Sequence, residues 1–256
     1  MKIATWNVNS IKAHLTHTLA WLDAAKPDVL LLQELKCVDA EFPRLEFESR
    51  GYQVATHGQK TYNGVAILAR GSIEDVRTGL PGGAGDDQAR WIEATIGGAR
   101  VVSLYLPNGN PAPGEKFDYK LAWMRRLIER SRALLDTDAP VVLGGDYNVC
   151  PTDDDVYDPV NWRDDALCRP ESRARFRELI NLGYTEAFRA LNPDAKRAWS
   201  YWDYQGGAWD RDNGLRIDHL LLSPMAADRL RGVGIDKEPR GGVKPSDHVP
   251  VWCDLA

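Results

Sequence analysis

Six apolar runs along the chain each meet a carboxylate, an amide or a tyrosine at one end: IATWN at Asn7, VLLLQE at Glu34, VVSLY at Tyr105, VVLGGDYN at Asp146 and Asn148, LRIDH at Asp218, and SDHVPVW at Asp247 and His248. Short β-rich runs bounded by Gly, Pro and Asn predict buried strands, here over 2–8, 28–33, 52–57, 64–69, 90–96, 101–106, 140–144, 215–222 and 249–254. Helical spacing predicts helices over 11–25, with Leu15, Leu19 and Leu22 on one face, over 115–135 and over 171–182. The opening strand, helix, strand order points to α/β architecture, and the second half resembles the first. Short turns between the middle strands favour antiparallel neighbours. Two mixed β-sheets packed face to face, with helices outside, accommodate the order. The stretch GLPGGAGDDQ lies between strand-like runs and is short enough for a surface loop or hairpin.

The polar residues fall at strand ends, where a rigid scaffold holds functional groups in place. If those ends share a rim, they form an oxygen-rich pocket suited to a hard divalent cation such as Mg²⁺. Asp146 and Asn148, spaced i and i+2 after two glycines, can aim at one side, the Asp to take a proton from water and the Asn to orient it or a phosphate. A turn in which both only cap backbone groups fits the same pattern. Glu34 stands where an unpaired charge is expensive, so it reads as a metal ligand or as a solvated residue just past the strand. Asn7, with Asn9 nearby, is the softer analogue. His248 beside Asp247 is the residue type suited to hold or protonate a phosphate, and Asp218 is the expected carboxylate orienting its second ring nitrogen. Tyr105 can reach a phosphate across the PNGNP loop or serve the core. His219 is expected to be structural, as are His14, His17 and His57.

With 256 residues and no linker composition, one domain over 1–256 is expected. No apolar stretch reaches the ~18–20 residues of a membrane helix, and Lys2 runs straight into a strand, so neither a span nor a signal peptide is expected. The four cysteines, Cys37, Cys150, Cys168 and Cys253, lack zinc or disulfide spacing, which fits a reducing cytoplasm. The formal net charge of −5 argues weakly against nucleic acid. Clustered acids around a metal would mask a local basic face, however, and cations interleave with aromatics over 196–202, 209–216 and 240–244. Those stretches are candidate contacts for a phosphate backbone. Trp199, Trp202, Trp209 and Leu215 fit either stacking on a sugar or base, or the core.

TWNVNSI, LLQELKC, YNGVAIL, YLPNG, GGDYNV, GLRIDHLLLS and SDHVPV, in this order across essentially the whole chain, resemble the exodeoxyribonuclease III family of apurinic/apyrimidinic endonucleases, within the endonuclease/exonuclease/phosphatase superfamily. The resemblance implies a DNase I-like four-layer α/β sandwich and dependence on Mg²⁺ or Mn²⁺. It implies that Asn7 and Glu34 lie near the metal, with Asp146, Asn148 and Asp247 in reach of it. It further implies that Tyr105, Asn148 and His248 bind the scissile phosphate, that Asp146 activates or positions the attacking water, and that Asp218 orients His248. Asp247 matches an acid assisting the metal or the leaving group. The expected substrate contacts are Asn9, Asn108, Trp209, Leu215 and Arg216, with Trp209 and Leu215 as walls of an abasic pocket. The partner implied is double-stranded DNA with abasic sites or 3′ ends, met by a monomer. One departure is the loop after Tyr105, PNGNPAPGEKF, which lacks the Arg that some relatives insert into DNA. The competing readings are a phosphatase or phosphodiesterase acting on inositol phosphates or phospholipids, and a DNA-binding or protein-interaction module without catalysis.

Overall fold

Two six-stranded mixed sheets organise residues 1–256, all of which the computed structural model describes. In chain order the first part supplies β1 (Lys2–Asn7), α1 (Leu15–Ala25), β2 (Val29–Gln33), α2 (Arg44–Glu48), β3 (Gln53–His57) and β4 (Val65–Ala69). Then come β5 (Glu74–Thr78), β6 (Trp91–Ile96), β7 (Ala99–Tyr105), α3 (Glu115–Leu135), β8 (Val141–Asp146), α4 (Pro159–Trp162), α5 (Pro170–Asn181) and β9 (Thr185–Glu186). The chain finishes with α6 (Ala187–Leu191), β10 (Asp218–Leu222), α7 (Pro224–Ala227), β11 (Leu230–Ile235) and β12 (Val251–Leu255).

One sheet has the order β11-β12-β1-β2-β4-β3 and the other β5-β6-β7-β8-β10-β9. Each has a parallel pair at its centre, β1 with β2 and β7 with β8, flanked by antiparallel neighbours. A parallel pair needs a long crossover, which α1 supplies in one sheet and α3 in the other. The internal similarity read from the sequence is therefore a repeated strand-helix-strand unit.

Period-two alternation sorts the apolar residues into layers. Ile3, Val29, Leu31, Val101, Val142 and Leu220 meet between the sheets. Ala4, Trp6, Leu30 and Leu32 face Trp21 and Leu22 of α1, while Val102, Leu104 and Leu143 face Leu127 of α3 and Phe176 of α5. The result is the expected four-layer α/β sandwich. Near the rim the intersheet layer turns polar. Thr5 Oγ1 donates to Gln33 Oε1 at 3.2 Å, and Gln33 Nε2 donates to Ser103 Oγ at 3.0 Å, all three residues being buried.

Several boundaries differ from the sequence expectation. α1 starts at Leu15 rather than 11, after a turn, and the strand expected from 215 begins only at Asp218. Leu215 instead makes isolated bridges to Val156 and Tyr201. β5 and β11, neither of them expected, are edge strands. Every residue of β5 is exposed, so no apolar alternation marks it.

Candidate active site

The ends of the two central parallel pairs share one rim, because parallel neighbours finish on the same side. Asn7 lies opposite Gln33, and Tyr105, Asp146 and Asp218 form one row across three adjacent strands. Asp218 opens β10 rather than closing a run, and reaches the rim because β10 is antiparallel to β8. The segment carrying Asp247 and His248 precedes β12, which is antiparallel to β1. Trp6 Nε1 donates to the His248 carbonyl at 3.0 Å and Ser246 Oγ to the Asn7 carbonyl at 2.8 Å, so this segment is fastened beside the end of β1.

Asn7 joins the two sheets. Its Nδ2 donates to Glu34 Oε1 at 2.9 Å and to Asp146 Oδ2 at 3.0 Å, so two carboxylates from different sheets converge on one amide. Glu34 adopts φ 53°, a left-handed conformation uncommon for a residue with a Cβ and concentrated at functional sites. Burial alone would raise its carboxyl pKa, but Lys36 Nζ, 2.9 Å from Oε2, and the Asn7 amide hold it below the ordinary value. Glu34 is thus ionised at neutral pH. Lys36 also donates to Asn9 Oδ1, and Asn9 Nδ2 donates to Asp247 Oδ1 at 3.0 Å, which links Asn9 and Asp247 to the same network.

His248 is flanked by two carboxylates. Its Nδ1 lies 2.9 Å from Asp218 Oδ2 and its Nε2 lies 3.7 Å from Asp146 Oδ2. Ser200 Oγ donates to the same Asp218 oxygen at 2.6 Å. Burial works against a charged imidazole, yet Asp218 and Asp146 overcome it and raise the His248 pKa. Burial raises the Asp146 carboxyl, with His248 opposing it. Asp146, Asp218 and His248 offer ligand atoms within 4.8 Å of one another, an acidic cluster of the kind that can hold a metal ion. Asp218 bonds His248 through Oδ2 only, and its Oδ1 is buried without a hydrogen-bond partner, an orphaned oxygen of the kind a bound cation or water satisfies.

Asn148 follows with φ 47°. Its backbone N–H donates to Asp146 Oδ1 at 2.8 Å, its Nδ2 to the Leu106 carbonyl at 2.9 Å, and its Oδ1 accepts from Asn108 Nδ2 at 3.1 Å. Tyr105 presents its hydroxyl to Glu34, and burial keeps that phenol protonated by raising its pKa well above the ordinary value. The Arg90 guanidinium lies over its ring, 4.7 Å from the centroid.

These groups open on a cleft of about 360 Å³, lined by Glu34, Tyr105, Asn108, Asp146, Asn148, Leu215, Asp247 and His248 among the expected residues. Asn7, Asn9 and Asp218 do not line it but bond to residues that do, Asn7 to Glu34 and Asp146, Asn9 to Asp247 and Asp218 to His248. Trp162, Asp165, Tyr201 and Ile217 also line it, and none was singled out from the sequence. Tyr201 packs its ring 4.9 Å from the His248 imidazole. Its position in the irregular WSYWDY stretch hid it, since no periodicity shows which ring faces the cleft.

One expected substrate contact, Arg216, lies elsewhere. Arg216 is 2% exposed and points away between the cleft residues Leu215 and Ile217, pairing with Asp155 Oδ1 at 2.7 Å and Glu186 Oε1 at 3.0 Å. It is internal structure, not a backbone contact. Trp209, half-buried, packs edge-on against Trp202 at 4.8 Å and beside Arg240, next to the residues that line this cleft rather than among them. Trp199 and Trp202 are buried in the same cluster. Of the basic stretches, Arg240 is buried and spent on the Trp202 and Asp203 carbonyls, whereas Lys196 with Asp154 and Arg197 with Asp212 form ion pairs on the exposed surface. His14, His219 and the four cysteines are buried, and all four cysteines are free.

Residues 4–248 match the profile of the endonuclease/exonuclease/phosphatase family. The chain is 35% identical to exodeoxyribonuclease III of Haemophilus influenzae, each covered in full. It superposes with a TM-score of 0.97 on a Neisseria protein described as the 3′ phosphatase NExo bound to product DNA hairpin, 40% identical, covering 100% of this chain and 99% of that one. An AP endonuclease from Archaeoglobus fulgidus gives a TM-score of 0.96 at 36% identity, with the same coverage. Full-length similarity, the shared sandwich and the strand-end cluster lead to one conclusion: the chain belongs to the endonuclease/exonuclease/phosphatase family, as a hydrolytic nuclease of the exodeoxyribonuclease III and AP endonuclease type.

Proposed function

We propose that the chain acts as one domain over 1–256, a monomeric, cytoplasmic, Mg²⁺-dependent DNA repair nuclease that hydrolyses the phosphodiester 5′ to an abasic site. It also shortens 3′ ends and removes blocking groups from them. The observation that carries this reading is the convergence of Glu34 and Asp146 on Asn7, beside the Asp218–His248 pair. End cleaning is included because the Neisseria relative is described as a 3′ phosphatase with product DNA.

In this reading Tyr105, Asn148 and His248 hold the scissile phosphate, the last as a cation kept charged and oriented by Asp218. Asp146 takes the proton from the water that attacks phosphorus, and the bond to the 3′ oxygen breaks, leaving a 3′-hydroxyl and a 5′ deoxyribose phosphate. Glu34, Asp146, Asn148 and Asp247 would provide the oxygen set for the cation, Mg²⁺ or Mn²⁺, with Asn7 beside it aligning Glu34 and Asp146 through its amide; when bound, the cation would neutralise charge on the phosphate and the departing oxygen. Asn9 and Asn108 flank the phosphate, and Leu215 walls the sugar. The net charge of −5 leaves DNA attraction to local groups, and no helix is long and apolar enough to cross a membrane.

The deciding assay incubates the protein and Mg²⁺ with a labelled duplex bearing one abasic analogue, an undamaged duplex, and an inositol phosphate, each also with EDTA. A metal-dependent cut at the lesion is expected. Phosphate release from the inositol compound alone would overturn the nuclease reading.

A further inference from the structure

Lys120 stands where the amphipathic pattern of α3 calls for an apolar side chain, on the face that buries Phe117, Trp123, Met124 and Leu127. It is fully buried. Its ammonium has three donors and meets three backbone carbonyls, of Asn148 at 2.6 Å, Asn108 at 3.0 Å and Ala166 at 3.2 Å, with no carboxylate bonded to it. A buried charge without an anionic partner is costly, so the lysine is offset here only by the three carbonyls it satisfies, which no apolar residue could do. The carbonyls it gathers come from separate segments of the cleft: Asn108 after β7, Asn148 after β8, and Ala166 between the lining residues Asp165 and Leu167. Gly109 makes room for it. At φ 91° its backbone is left-handed, and a Cβ there would meet Lys120 Cδ at 2.6 Å and Ala166 Cβ at 3.2 Å.

We propose that Lys120 is a positioning residue for the phosphate-binding amides. Its ammonium ties the loops after β7 and β8 and the 165–167 segment into one unit, so that Asn108 and Asn148 enter the cleft already aligned. This rests on the nuclease reading for its consequence in turnover, but not for the alignment itself. Amides that depend on the same arrangement include Asn148 N–H to Asp146, Cys150 N–H to the Leu167 carbonyl and Ala166 N–H to Asn110 Oδ1.

The test compares wild type with Lys120→Met, Gly109→Ala and Tyr184→Phe, the last losing a buried bond to the Ser131 carbonyl in the core away from the cleft. Peptide-resolved amide hydrogen exchange, thermal melting, and kcat and KM on the abasic duplex are measured for each. For Lys120→Met, exchange rises together over 106–110, 146–150 and 165–168 and stays unchanged elsewhere, while kcat falls about 100-fold with KM within a few-fold. Gly109→Ala moves both readouts in the same direction, and decides the matter if Lys120→Met does not fold. Tyr184→Phe lowers the melting temperature yet keeps kcat. Unchanged exchange in the three segments, a uniform rise along the whole chain, or a kcat loss no larger than the loss of folded protein would each overturn the proposal. Should wild type cut no DNA at all, the nuclease reading falls, and the exchange pattern alone still decides the role of Lys120.

Discussion

At the scale of single residues, turnover in the proposed chemistry depends most directly on Asp146. Replacing it with Asn keeps the shape, gives up one of the two N–H bonds accepted from Asn7 and Asn148, and removes the proton acceptor, so turnover should fall roughly 10²–10⁴-fold while DNA binding survives. Single-turnover cleavage beside a binding titration measures both, and full retained activity would refute the assignment. The rim residues were legible because a carboxylate or amide at the edge of an apolar run is a costly anomaly. Arg216 was misread because its neighbours are cationic and aromatic, a pattern that suits a DNA contact and a buried ion-pair network equally. Lys120 left no signal at all, since a Lys within a charged helix is ordinary until its face is known.

At the scale of elements, the two glycines of GGDYN do more than let a loop turn. A Cβ at Gly145 would lie 1.9 Å from the Leu104 carbonyl, and one at Gly144 would lie 2.5 Å from Leu31 Cδ1. The first sets the closeness of β7 to β8, and the second the closeness of the two sheets. Gly145→Ala should therefore cost about 1–3 kcal/mol or more by overpacking, read from urea unfolding, and should push Tyr105 and Asp146 out of their shared row. An unchanged midpoint would show that the strands give way easily. Central strands could be read because they are buried on both faces. The edges β5 and β11 could not, because β5 is exposed throughout and β11 buries no residue fully, so neither carries an apolar alternation.

At the scale of the whole molecule, charge decides two behaviours. Burial would raise the carboxyls of Asp155 and Glu186, but Arg216 overrides it, holding Glu186 down from its ordinary 4.5 to about 2 and Asp155 below its usual range as well. Both folded values lie below the unfolded ones, so this stabilisation is complete above about pH 4.5 and is lost as pH falls towards 2. Arg216→Met strands both carboxylates and should cost roughly 3–5 kcal/mol at pH 7. The gap to wild type should close on acidification, and a constant gap from pH 7 to 3 would refute the pairing. DNA affinity, in turn, should fall with log salt at a slope near −0.9 per phosphate contacted, and a flat response would exclude backbone recognition.

The pairing of β1 with β12 sets when activity can begin. Asn7 belongs to the first strand, His248 stands just before the last, and Ser246 and Trp6 fasten the two together. A growing chain therefore holds most of its core, and most of its rim, long before it holds a working site. Fragments ending near residue 240 would lack Asp247, His248 and the strand that closes β1, and would carry no partial nuclease activity. In the proposed chemistry, cleavage of DNA therefore waits until the segment from Ser246 through β12 has joined β1.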